Sequence, residues 1–236
     1  MATVLLVRHG LTAMTGPVLA GHTPGVHLDA RGRAQAEAVA ARLAPVPLAA
    51  VVTSPLERCV ETAGAVVSGR SLVSSVEPRL AEVRYGDWTG KPLKELAKQP
   101  LWKVVQAHPS AAVFPGLDGE ALAAAQSRAV SAVREWDARI TASAGPDAVW
   151  LACSHGDIIK AVLADALGLH LDLFQRIVVD PCSVSVVRYT DTRPFVLRSN
   201  DSGGDLAGFA PPKKRRRAGR KPSSDAAVGG GAGVEP

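Results

Sequence analysis

VLLVRHGLT, residues Val4 to Thr12, sets four apolar residues directly before an arginine, a histidine and a glycine. An unbroken apolar run of this length reads as a strand buried on both faces. The same grammar recurs twice. AAVVTSPLERC (Ala49–Cys59) brings Ser54, Pro55 and Arg58 after an apolar run, and AVWLACSHGD (Ala148–Asp157) brings Ser154, His155 and Gly156 after another. In open α/β sheets, ligands bind beyond the carboxyl ends of the strands. Two histidines and two arginines, far apart along the chain, are therefore expected in one crevice.

Working outward, apolar runs alternate with alanine-rich amphipathic segments over the first 200 residues. Strands are expected at Val4–Val7, Leu48–Val52, Val149–Cys153, Ser183–Tyr189 and Phe195–Arg198. Helices are expected over DARGRAQAEAVAARLA with Asp29 as N-cap, over ERCVETAGAVV, over Glu120–Ala142 and over Ile158–Leu167. This alternation argues for an α/β three-layer sandwich: a mainly parallel central sheet with helices on both faces. The stretch from about 86 to 117 breaks the pattern. It carries Trp88, Trp102, four lysines and four prolines, and reads as a small cap insertion within a domain spanning 1–201. From residue 202 to 236 the chain turns to Gly, Pro, Ser and basic residues, which predicts a disordered tail.

The 236 residues are 47% apolar, enough for a sizeable core. The net charge of +5 is unevenly placed. From Asp205 onward seven Lys and Arg face three acids, so +4 of it belongs to the tail. The near-neutral body carries no nucleic-acid signature, and the run KKRRRAGRK reads as a solvated stretch. No 18-residue uncharged apolar segment suggests a membrane span, and Arg8 and His9 interrupt the only candidate leader. Cys59, Cys153 and Cys182, odd in number and unclustered, read as reduced thiols of a cytoplasmic protein.

Two guanidinium forks suit the oxygens of a phosphoryl group, and a histidine can attack phosphorus. PRLAEVRYGDWTG offers Glu82 in an apolar setting that favours the protonated acid. Glu77 and Asp87 are its competitors. A metal site is not expected: no His-x-His, HExxH or Cys-x-x-Cys spacing occurs, and arginines beside the histidines would repel a cation. No GxGxxG or P-loop points to a nucleotide cofactor, and none is expected.

In this order, LLVRHGLT, SPLERCVETA, LAEVRYGDWTG and CSHGDIIKAVL resemble the histidine phosphatase, or phosphoglycerate-mutase-like, superfamily over about residues 3 to 200. PLKELAK, LWKVVQAHPSA and LDLFQRIVVDP make an actinobacterial phosphatase branch the nearest likeness. The resemblance implies roles: His9 the nucleophile, Arg8, Arg58 and His155 the phosphoryl ligands, Glu82 the proton donor. Thr15 stands where the family often has asparagine, and Glu120 is followed by Ala121 rather than serine. Thr15 and Glu120 are thus expected among the substrate-binding groups at the pocket rim.

The expected activity is metal-independent hydrolysis of a small phosphomonoester through phosphohistidine, releasing inorganic phosphate. Family analogy suggests a homodimer, with no membrane or nucleic-acid partner. Two alternatives remain. A phosphoglycerate-type mutase would be expected to carry arginines in a longer insertion, and none occurs between Tyr85 and Gly119. A phospho-ligand binding module would not need both His9 and Glu82.

Overall fold

A computed structural model describes residues 1–204 and 225–233. Six strands form one sheet: β1 (Thr3–Arg8), β2 (Leu48–Thr53), β3 (Ser74–Val76), β4 (Val149–Ser154), β5 (Val184–Arg188) and β6 (Phe195–Asp201). The helices are α1 (Ala30–Leu43), α2 (Glu57–Val67), α3 (Leu93–Leu96), α4 (Pro100–Ala107), α5 (Leu122–Ala144) and α6 (Gly156–Ala166). Across the sheet the order is β3-β2-β4-β1-β5-β6. The first four of these are mutually parallel, and β5 and β6 run antiparallel at one edge.

Side-chain alternation along β1 explains its apolar run. Val4 and Leu6 enter the core cluster that also holds Ala129 and Val133 of α5 and Ile159 and Val162 of α6. Leu5 and Val7 enter the opposite cluster, with Val39 of α1 and Ala63 of α2. A strand with helices on both sides has no polar face to display. Trp88 and Trp102 of the insertion stack at 6.3 Å, both buried in the first cluster, so the cap is fastened by core packing. The three cysteines are free and buried. No described helix is long and apolar enough to cross a membrane.

Edge strand β3, three residues long, was too short to read from pattern. The helix expected from Glu120 begins instead at Leu122, because the Glu120 backbone is bonded elsewhere, its N–H to Arg84 O at 3.0 Å and its carbonyl to Phe114 N–H at 3.1 Å. The tail departs from its composition. Residues 225–233 are packed against the body, and Val228 is buried. Residues 205–224 and 234–236, including the basic run, lie outside the described residues.

The glycine after His9 is explained by proximity. A Cβ on Gly10 would lie 2.5 Å from the Gly32 carbonyl oxygen, and a Cβ on Gly32 would lie 1.9 Å from that of Leu11. The first turn of α1 thus presses backbone to backbone on the loop after β1. In an open helix, Gly→Ala gains about 1 kcal/mol. At Gly32 the backbone clash outweighs this, since overpacking typically costs about 1–3 kcal/mol. Gly32→Ala should therefore lower stability in urea denaturation; a gain would contradict this contact.

Candidate active site

Register does the assembling. Val7 pairs with Cys153 and Arg8 with Ser154, so β1 and β4 end level. Thr53 of β2 also pairs with Cys153. Backbone bonds continue the ladder past the strands: His9 N–H donates to Ser154 O at 3.0 Å, and Ser54 N–H to Cys153 O at 3.0 Å. Three consecutive strand ends therefore deliver His9, His155 and Ser54 to one spot. The His9 and His155 rings sit 5.2 Å apart, edge to face.

Arg58, on the first turn of α2, reaches between them. Its Nε donates to His9 Nε2 at 3.2 Å, and its Nη2 to His155 Nδ1 at 3.2 Å and to Gly21 O at 2.9 Å. These contacts assign the tautomers. A carbonyl can only accept, so His9 Nδ1–H donates to Gly10 O at 2.7 Å and Nε2 keeps its lone pair. His155 Nδ1 accepts, so its Nε2–H faces Ser54 Oγ at 2.7 Å. Both histidines are pushed well below the usual imidazole range. For His9 the causes are burial, then Arg58 and Arg8; for His155 they are burial, then Arg58 and His9. Both are neutral at physiological pH.

Arg8 is 1% exposed and Arg58 2%. Arg8 Nε and Arg58 Nη1 have no hydrogen-bond partner among the described residues. Buried cationic donors left unpaired are costly, and they mark a place for an anion.

Glu82 lines the same cavity and is 3% exposed. One oxygen accepts from Val83 N–H at 3.0 Å. Burial first, and the Asp157 charge second, push its carboxyl up to about 8 against the opposing pull of Arg58 and Arg8. It is thus a protonated acid at neutral pH. Asp157 stands in the first turn of α6, where its carboxylate accepts from Tyr85 Oη–H at 2.9 Å and from Lys160 at 3.3 Å.

Of the residues expected from the sequence, Arg8, His9, Arg58, Glu82 and Thr15 line one cavity, and His155 is tied to it through Arg58. Thr15 is committed to its own loop, accepting from Thr12 N–H at 3.1 Å and sharing a hydroxyl bond with Thr12. Glu120 does not line the cavity. It accepts from Arg84 N–H at 2.8 Å and is gripped by Arg128 at 2.6 and 3.1 Å. Arg128 in turn holds the carbonyls of Arg79, Ala81 and Glu82. Glu120 therefore braces the loop bearing Glu82 rather than facing a ligand.

Sequence reasoning did not find Ser54's partnership, Arg128, Tyr85 or Asp157. Only Asp157 left a trace, as an acid two residues beyond His155.

Residues 4–202 match the model of the histidine phosphatase superfamily, branch 1, and the chain belongs to that family. An uncharacterized Mycobacterium tuberculosis protein is 43% identical over 79 residues, 34% of this chain but only 39% of its own length. A glucosyl-3-phosphoglycerate phosphatase of Mycolicibacterium vanbaalenii is 30% identical over 72% of this chain and 76% of its own. A probable phosphoglycerate mutase of Yersinia enterocolitica is 28% identical over 88% and 94%. Among solved structures, Bacillus stearothermophilus YhfR superposes with a TM-score of 0.74 at 28% identity, over 85% of this chain and 98% of its own. The mycobacterial relatives agree with the likeness to an actinobacterial branch.

The Asp157 contribution can be tested without turnover. A carbon-13 NMR titration of the Glu82 carboxyl should show a midpoint near 8, moving to lower pH in Asp157→Asn as the like charge is removed. An unmoved midpoint would leave burial as the sole cause.

Proposed function

We propose that this protein is a metal-independent phosphatase of small phosphomonoesters that works through a phosphohistidine at His9. The observation that carries the reading is the pair of buried guanidinium donors without partners, Arg8 Nε and Arg58 Nη1, beside a neutral imidazole whose Nε2 lone pair is free of protons. A phosphoryl group entering there takes over the Arg58 donors and leaves Nε2 facing phosphorus.

In the first step His9 Nε2 bonds to phosphorus as the ester oxygen departs. That oxygen takes the Glu82 proton, so a neutral alcohol leaves. The Gly10 carbonyl, already accepting from Nδ1–H, stabilises the positive charge that develops on the ring. In the second step a water attacks phosphorus, the ionised Glu82 takes its proton, and the bond to Nε2 breaks. Inorganic phosphate departs, and both residues return to their starting states. Arg8 and Arg58 stabilise charge on the transferring oxygens in both steps, and His155, its Nδ1 accepting from Arg58, positions that guanidinium. A Glu82 carboxyl held to about 8 is matched to this alternation, since a catalytic acid works best with a pKa near the operating pH. Metal independence follows from the same charges: an arginine 3.2 Å from His9 Nε2 opposes a cation there.

A phosphatase is favoured over a mutase because the insertion offers lysines, all away from the cavity lining, and no arginine to hold a second anionic group. A cytoplasmic setting agrees with three reduced, buried thiols.

The role of Glu82 is separable from that of the arginines. An alkyl phosphate leaves as a strongly basic alkoxide and needs the proton; nitrophenyl phosphate leaves as a weakly basic phenoxide. Glu82→Gln should cost about 10²-fold or more in kcat/KM for the alkyl substrate, and far less for the aryl one. Arg58→Ala should lower both by similar factors. Equal losses in the Glu82 variant would remove Glu82 from the acid role.

A further inference from the structure

Residues 225–233, DAAVGGGAG, run from the cap into the site. Trp102 Nε1–H donates to Asp225 at 3.0 Å, and the Gln106 side chain pairs with both the N–H and the carbonyl of Ala226 at 2.8 Å. Val228 is buried in the main core cluster. Ala227 O then accepts from Gly230 N–H, closing a turn. Gly229 N–H donates to Asp157 at 2.9 Å. Finally the Gly231 and Gly230 carbonyls accept from Arg8, at 2.7 Å from Nη1 and 3.2 Å from Nη2.

The geometry points to an intramolecular inhibitor: the glycine turn of the C-terminal segment occupies the phosphoryl site and competes with phosphate and phosphomonoesters for Arg8. This rests on the proposed role of Arg8 as a phosphoryl ligand. Two backbone carbonyls present to the guanidinium the same pair of acceptors that a phosphoryl group would. Val228, Gly229 and Gly230 form part of the cavity wall, and the space left is about 30 Å³. That is room for a water or two, not for a phosphoryl group and its alcohol.

The composition of the segment fits the place. Gly229 and Gly230 have φ of 76° and 79°, which L side chains rarely adopt. A Cβ on Gly230 would come within 2.9 Å of the Arg8 guanidinium carbon, and a Cβ on Gly156 within 2.9 Å of Gly229 O. Only glycine lets both backbones approach. Arg8 and Asp157 bond here to neutral backbone groups, whereas a doubly charged anion would pair with both buried guanidinium cations and reach both orphan donors. The segment is therefore displaceable at sufficient ligand concentration. It reduces apparent affinity by the fraction of molecules in which the site is open.

Titration calorimetry with inorganic phosphate tests this in the full chain and needs no turnover. Gly230→Val, strained at positive φ and crowded against Arg8, should release the segment and bind phosphate at least about tenfold more tightly than the unaltered chain. The KM for nitrophenyl phosphate should fall by a similar factor with kcat unchanged. Gln106→Ala, which removes two anchoring bonds far from Arg8, should shift affinity the same way by less, and it serves if Gly230→Val does not fold. Unchanged or weaker phosphate binding in a folded variant overturns the inference. Tighter phosphate binding without any His9-dependent turnover would uphold it and overturn the phosphatase reading instead.

Discussion

Arg58 wedged between two imidazoles is the contact on which the site depends. A buried guanidinium bonded to His9 and His155 at 3.2 Å each cannot tolerate a proton on the facing nitrogens. Burial first, and this guanidinium second, hold both rings neutral, and its bonds fix which nitrogen carries the lone pair. Arg8 adds a second buried cation. Glu82, with its carboxyl raised to about 8, does not neutralise them at physiological pH. Asp157, a buried acid that acts on both Arg8 and Glu82, is shared with Lys160 and Tyr85. The pocket is thus a deficit of negative charge built into a closed core. Buried charge without a partner is costly, and the proposed phosphoryl anion would supply the missing negative charge.

The rest of the fold serves that arrangement. The level ends of β1 and β4 set the two histidines side by side. The backbone approach of Gly10 and Gly32 pins the loop whose carbonyl holds His9 Nδ1–H. Arg128, braced by Glu120, ties the carbonyls of 79, 81 and 82 and so fixes the acid. The C-terminal turn enters as carbonyls rather than as a charge, which suits a temporary occupant of an anion site.

Much of this was legible in the sequence because it is local. An apolar run followed by Arg-His-Gly, Ser-Pro-x-x-Arg or Ser-His-Gly marks a strand end, and strand ends of a parallel sheet converge. The apolar neighbours of Glu82 made it one candidate beside Glu77 and Asp87, and the family resemblance singled it out. Glu120 was expected at the pocket rim, and nothing in its own stretch reveals Arg128, eight residues on in α5, which holds its carboxylate. Asp157 sits too close to His155 to be distinguished from a first-turn helix acid. The tail was hardest. Glycine-rich composition signals freedom in an isolated chain, and only the tertiary partners Gln106, Asp157 and Arg8 convert that freedom into a fitted turn.

The proposed reaction turns on a covalent phosphoryl group on His9. Rapid quenching during turnover of a phosphorus-32-labelled phosphomonoester, followed by peptide mapping, tests it most directly. Label is expected on the peptide containing His9, stable to base and lost in acid, and absent from His9→Ala. Label that survives acid and is lost in base, or that persists in the His9 variant, would contradict it.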